Sequence, residues 1–287
     1  MGRLIFVKFK NKEEASKFTA EVIFNAIGWI RNDEKFVFGT ATGQTPVLTY
    51  KELAKLADEN AWYQIACQNV TFRQLDNYIS EAKEDGGLPD YSYQLELARS
   101  IWKVPAAERL IPNELAPYPE EEAKRYSDVI EITNKGAFVL QLLGIGDEDG
   151  HIAFNMPGTS FDSKVHVVDL NNETIQSNAD KFFGGDTSKV PKRAITMGIG
   201  DVLKSNGIIL EAFGSKKANI IWKSFFTRPT TEIPASALQT FNGTVLVILD
   251  EEAASIVTEK EGEDVYFVPN MKQVREFTRD AFFDDRS

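Results

Sequence analysis

The chain has a single cysteine, Cys67, and only two histidines, His151 and His166. One cysteine excludes an intramolecular disulfide and a cysteine-rich zinc site. Cys67 stands in the largely apolar run WYQIACQNVTF, so a buried core thiol is expected there rather than a nucleophile. No uninterrupted apolar stretch reaches the ~18 to 20 residues that a membrane-spanning helix needs. The N-terminus MGRLIFVKFKNKEEASKF lacks the apolar core and cleavage site of a signal peptide. Phe6 stands where a myristoylation motif after Gly2 requires a hydroxyl residue. Positive charge is also scarce: 32 Lys and Arg against 43 Asp and Glu leave a net charge of −11. Such a balance argues against a nucleic-acid partner, which needs a dense basic surface. It does not argue against one small phosphate, for which a local donor cluster suffices. The expectation is a cytoplasmic, soluble protein with neither a membrane nor a nucleic-acid partner.

Short apolar runs alternate with helical patterns along the 287 residues. KFVFGT (35–40), GAFVLQLLGIG (136–146), GIILEAFG (207–214) and GTVLVILD (243–250) read as buried strands. Helical spacing marks 13–30, 46–60, 91–102, 120–132 and 216–226. Strands alternating with helices imply an α/β fold with a mostly parallel sheet. No repeat, low-complexity segment or Pro/Gly/Ser linker divides the chain, so one domain is expected over 1–287. Function is expected at the C-terminal ends of the strands.

Three strand-to-helix junctions carry candidate chemistry. In FVFGTATGQTPVLTYKEL a strand ends at Gly39, Thr45 can cap a helix, and Pro46 suits its first turn. Such a loop offers unpaired N–H groups and a helix dipole to an anion. It matches neither a Walker A loop nor GxGxxG, and a capped turn with no ligand explains it equally well. In GIGDEDGHIAFN a strand runs into three acids, Asp147, Glu148 and Asp149, and then His151. A solvated acidic loop and a structural histidine are the plain alternatives. A histidine beside an acid at a strand's C-terminal end is nonetheless placed for acid–base work near neutral pH. In ILEAFGSKKANIIW, Lys216 and Lys217 open a helix against its dipole, which an anion explains better than helix stability does. Two anion-binding junctions around an Asp–His junction suggest a phosphorylated small-molecule substrate.

TATGQTP, FRQLDNYIS, GIGDEDGHIAFNMP, VPKRAITMGIGDVL and GSKKA resemble, in order and spacing, the glucosamine-6-phosphate deaminases (isomerases). These are related to the 6-phosphogluconolactonases, and the resemblance covers roughly residues 3 to 250. It implies a modified Rossmann-like three-layer α/β/α fold with no metal and no redox cofactor. It implies conversion of glucosamine 6-phosphate and water to fructose 6-phosphate and ammonia. Thr42, Gly43, Gln44 and Thr45, with Lys217, match the positions that hold the sugar phosphate. Lys181, in SNADKFF, stands for a lid arginine, keeping its charge but losing the bidentate fork. Asp76 matches the base that moves a proton between C2 and C1, His151 the ring-opening histidine, and Asp149 its acidic partner.

Departures from the family pattern bear on activity. Met156 replaces a glutamate that pairs with the ring-opening histidine, so Asp149 is the evident remaining partner, with Glu148 a stand-in. Asn77 replaces an acid after Asp76, and His166 and Val168 stand where some members carry a basic pair for an allosteric sugar phosphate. A glucosamine-6-phosphate deaminase-like enzyme is the first reading. An enzyme for another hexosamine phosphate, such as the galactosamine isomer, is the second. A non-catalytic sugar-phosphate-binding protein is the third; Met156 favours it, and the retention of Asp76 and His151 opposes it. A 6-phosphogluconolactonase would have no use for Asp76. The oligomeric state is open, a homo-oligomer included.

Overall fold

A computed structural model describes residues 2–30, 34–80, 103–267 and 270–283, without the side chains of Glu173, Lys181 and Phe182. In chain order the strands are β1 (Arg3–Phe9), β2 (Lys35–Thr40), β3 (Val70–Gln74), β4 (Asp76–Ile79), β5 (Glu108–Leu110), β6 (Ala137–Leu143), β7 (His166–Asp169), β8 (Arg193–Thr196), β9 (Gly207–Ala212), β10 (Thr244–Asp250) and β11 (Tyr266–Phe267). The longer helices are α1 (Lys12–Gly28), α2 (Val47–Glu59), α3 (Pro119–Asn134), α4 (Asn172–Phe182), α5 (Ala218–Phe226), α6 (Glu251–Glu261) and α7 (Val274–Phe282). The helix expected at 91–102 lies outside the described residues. Among the described residues no helix is long and apolar enough to cross a membrane.

Eight strands form one sheet in the order β11-β1-β10-β9-β6-β2-β3-β5, and every pairing in it is parallel. Strands covered on both faces need no polar alternation, which is why their sequences read as continuous apolar runs. Alternate residues serve opposite layers. Val7, Phe36, Phe38 and Ile209 pack beneath α1, α2 and α7. Phe6, Ile208, Leu210 and Val247 pack against α3, α5 and α6 on the other face. A separate antiparallel sheet, β4-β8-β7, packs with α4 around Tyr78, Ile175, Ala179 and Ala194.

The strand order reverses beside β2. From β2 the chain builds outward to β3 and β5, then returns to β6 on the other side of β2 and continues to β9 and β10. In open parallel sheets, ligands bind outside the carboxyl ends of the strands at such a reversal.

One local expectation is corrected. Thr45 does not cap α2: Pro46 occupies the N-cap with φ −80° and ψ −1°, and no side chain bonds there. Proline already fixes a helical φ at this position, so the helix starts without a hydroxyl acceptor. Lys216 and Lys217 sit in a 3-10 turn, Ser215–Lys217, that leads into α5.

Candidate active site

The three junctions singled out in the sequence follow β2, β6 and β9, which are neighbours in the sheet. Their loops therefore converge at one edge, with the Asp–His loop in the middle. On the β2 side, Gly144 faces Thr45, whose Oγ1 lies 4.0 Å from where a Gly144 Cβ would be. On the β9 side, the Lys217 ammonium donates to the Ile145 carbonyl and pairs with the Asp147 carboxylate. Gly214, at φ +88°, makes the turn before Lys217 and donates its N–H to both Asp250 oxygens at 3.0 Å. Asp250 also caps α6 through Ala253 N–H at 2.8 Å, so the end of β10 fixes the lysine turn.

Asp76 stands where the chain leaves the main sheet. Leu75 N–H still donates to Thr40 O at 3.0 Å, and Asp76 then pairs with Thr196 in the small sheet. Asp76 is 5% exposed, and one carboxylate oxygen accepts a 2.6 Å hydrogen bond from the Thr42 hydroxyl. Burial pushes the Asp76 carboxyl up to about 6, while the Thr42 hydroxyl and the charge of His151 draw it down. A base titrating just below neutral pH is ionised under working conditions yet still takes a proton effectively. Beside it, the Tyr50 hydroxyl donates to Ala41 O at 2.7 Å, anchoring the loop from beneath. Burial, with the Glu211 carboxyl nearby, raises Tyr50 well above the usual phenol range.

His151 Nδ1 lies 2.7 Å from Asp149 Oδ1, and His151 N–H donates to the same oxygen at 3.1 Å. Burial alone would raise Asp149, but its hydrogen bonds and the charge of His151 prevail and hold it below the usual carboxylate range. Gly146 N–H donates to His151 O at 2.8 Å, folding the loop on itself. A Cβ at Gly146 would strike both His151 Nδ1 and Asp149 Oδ1, so only glycine admits the pair.

Asn155, fully buried, clamps this loop: its amide donates to Ile152 O at 2.9 Å and to Met197 O at 2.8 Å. Phe154 N–H donates to Thr196 Oγ1 at 3.1 Å. Thr196 faces Asp76 across the small sheet, so the clamp ties the His151 loop to the Asp76 strand. Asn155 and Thr196 lie in the GHIAFN and ITMGIG stretches, whose sequence carries the clamp only weakly. The signal was present as a buried-type Asn closing an apolar run.

The remaining predicted residues sit as follows. Gly43 and Gln44 are exposed at the loop tip, and Thr42 and Thr45 are half-buried. Lys181 is in the last turn of α4, its side chain outside the description. The Met156 thioether accepts from Asn171 Nδ2 at 3.7 Å, and Asn171 caps α4 by accepting from Thr174 N–H. Glu148 is exposed. Asn77 is buried, donating to Pro112 O at 2.9 Å while its Oδ1 accepts from Tyr78 N–H. An ionised acid there could not donate to Pro112, which accounts for the amide. His166, the first residue of β7, has its Nδ1 2.8 Å from Lys164 O. Among the described residues no three His, Cys, Asp or Glu side chains gather as a metal site.

The model of the family described as glucosamine-6-phosphate isomerases/6-phosphogluconolactonase matches residues 10–247. The chain is 40% identical over 253 residues to a glucosamine-6-phosphate deaminase of Ligilactobacillus salivarius, covering 88% of this chain and 98% of that protein. A Geobacillus glucosamine-6-phosphate deaminase is 39% identical over 259 residues, covering 88% and 96%. A solved monomeric glucosamine-6-phosphate deaminase superposes with a TM-score of 0.74 at 34% identity, covering 88% of this chain and 99% of that one. A 6-phosphogluconolactonase from Trypanosoma cruzi, at TM-score 0.68 and 18% identity, shares the fold.

Proposed function

The chain belongs to the glucosamine-6-phosphate isomerase/6-phosphogluconolactonase family, and from that premise we propose that it deaminates a hexosamine 6-phosphate to a ketose 6-phosphate and ammonia. One observation carries the reading: a buried carboxyl, Asp76, held by Thr42 and within electrostatic reach of His151, which Asp149 orients, at the strand-order reversal. A lactone hydrolysis moves no carbon-bound proton, whereas an aldose–ketose shift requires a base placed to take one from C2.

The steps follow from the groups present. His151, oriented by Asp149, passes a proton to the ring oxygen O5 as the anomeric hydroxyl loses one, and the sugar opens to its aldehyde. Asp76 takes the proton from C2 as O1 gains one, giving an enolamine. It returns that proton to C1, leaving a protonated imine at C2. Water adds at C2 and ammonia departs, so the reaction is an isomerisation at C1–C2 and hydrolytic only at the imine carbon. Lys217, with the Gly43–Thr45 loop and the start of α2, holds the phosphate. Thr42 serves Asp76 rather than the phosphate alone.

The test is ammonia release from a panel of hexosamine 6-phosphates. Turnover of glucosamine 6-phosphate above its galactosamine isomer supports the reading, and the reverse order moves the galactosamine reading ahead. Binding with no ammonia from any member would establish the non-catalytic alternative that Met156 favours.

A further inference from the structure

Lys217, the cation proposed for the phosphate in the turn after β9, already has an anion. Its side chain is 14% exposed, and its ammonium is held between the Ile145 carbonyl and the Asp147 carboxylate. Asp147 is 46% exposed and lies on the loop that carries Asp149 and His151. The same lysine cannot give full charge both to Asp147 and to an incoming phosphate, and a dianion placed there would sit against the Asp147 carboxylate. Like charges at such range repel, and the Asp147 side chain, half-exposed, has solvent to turn into while the backbone of the loop stays held. Gly150, at φ +69°, is buried and accepts from Ala235 N–H at 2.9 Å, so it holds the far end of the loop while the exposed Asp147 side chain turns.

We propose that Asp147 is an internal counter-anion of the phosphate subsite, occupying Lys217 in the empty enzyme and displaced by the substrate's phosphate. The proposal rests on the reading of Lys217 as a phosphate ligand, and it makes Asp147 a residue that sets affinity for the phosphate rather than one that touches reacting atoms. Removing its charge frees Lys217 for the ligand. Asp147 is half-exposed and therefore screened, so the gain is set at about three- to tenfold.

The experiment measures inorganic phosphate and glucosamine 6-phosphate binding by calorimetry, and KM where turnover is seen, for the wild type, Asp147→Asn, Lys217→Met and the double variant. The expected result is tighter binding of both ligands by Asp147→Asn, with that gain absent when Lys217 is Met. Unchanged or weaker binding by Asp147→Asn would overturn the proposal, since Asp147 would then orient Lys217 for the phosphate instead of competing with it. A gain that persists in the Lys217→Met background would overturn it equally, as general relief of negative charge. Phosphate binding is read without turnover, so a protein that releases no ammonia still tests Asp147. Wild-type binding of both phosphate and glucosamine 6-phosphate by Lys217→Met would instead refute the phosphate role of Lys217.

Discussion

Replacing Thr42 by Val removes one hydroxyl of nearly the same volume and leaves the Asp76 carboxylate without its 2.6 Å donor. A hydrogen bond to a charged group contributes about 1.5–3 kcal/mol, and Asp76 is buried enough that solvent cannot replace it. One pKa unit corresponds to about 1.4 kcal/mol, so the Asp76 carboxyl should rise by roughly one to two units. Its present value is about 6. The base must be ionised to take the C2 proton, so the acid limb of the kcat profile should move upward by that amount. In ammonia-release assays from pH 5.5 to 9, Thr42→Val should lose most activity on the acid side and regain it as pH rises. Thr42→Ser, which keeps the hydroxyl, should restore the wild-type limb. An acid limb that stays in place while KM rises would refute the reasoning and return Thr42 to a purely phosphate-binding role.

Other consequences can be read separately. Glu211 is fully buried, accepts from the Thr49 hydroxyl at 2.6 Å, and is pushed by burial up to about 7. The unfolded chain releases that proton near the ordinary glutamate value while the folded chain keeps it, so stability falls as pH rises from about 4.5 to about 7. Urea midpoints of Glu211→Gln should lack this part of the decline, about 3 kcal/mol in size, and a wild-type slope in the variant would contradict it. Gly146→Ala should displace His151 and Asp149 and cut kcat by on the order of 10²-fold with circular dichroism unchanged, as sub-ångström misplacements do; normal turnover would mean that the pair is not catalytic. Met156→Glu should raise turnover and move the pH optimum upward, as a second carboxylate stabilises the imidazolium. If the new carboxylate settles on Asn171, the present partner of Met156, the optimum will stay where it is.

The central strands were legible because each is buried on both faces and reads as an unbroken apolar run. The helices beside them appeared within a few residues of 12–28, 47–59 and 119–134. β1, with Arg3 and Lys8 breaking its apolar residues, gave no such run, although it pairs along its whole length with β10. The four-residue strands β4, β7 and β8 were too short for any period to show, so the sheet that places Asp76 opposite Thr196 was invisible. Site residues could be picked out by type and resemblance, but their partnerships are tertiary. Strand order alone decides that three distant loops are neighbours. The Thr42–Asp76 and Lys217–Asp147 pairs join residues 34 and 70 positions apart in the chain. Glu211 sits inside a strand pattern where an acid looks like an interruption rather than a buried, hydrogen-bonded group.

The account stands on Asp76 as the base that carries the C2 proton. The direct measurement is solvent deuterium incorporation and ammonia release from glucosamine 6-phosphate, compared between the wild type and Asp76→Asn. The amide keeps the shape and can still accept from Thr42, but it cannot take the proton. Both signals should appear in the wild type and fall together by about 10²- to 10⁴-fold in the variant, with substrate still bound. Wild-type rates of exchange and ammonia release from Asp76→Asn would contradict the account.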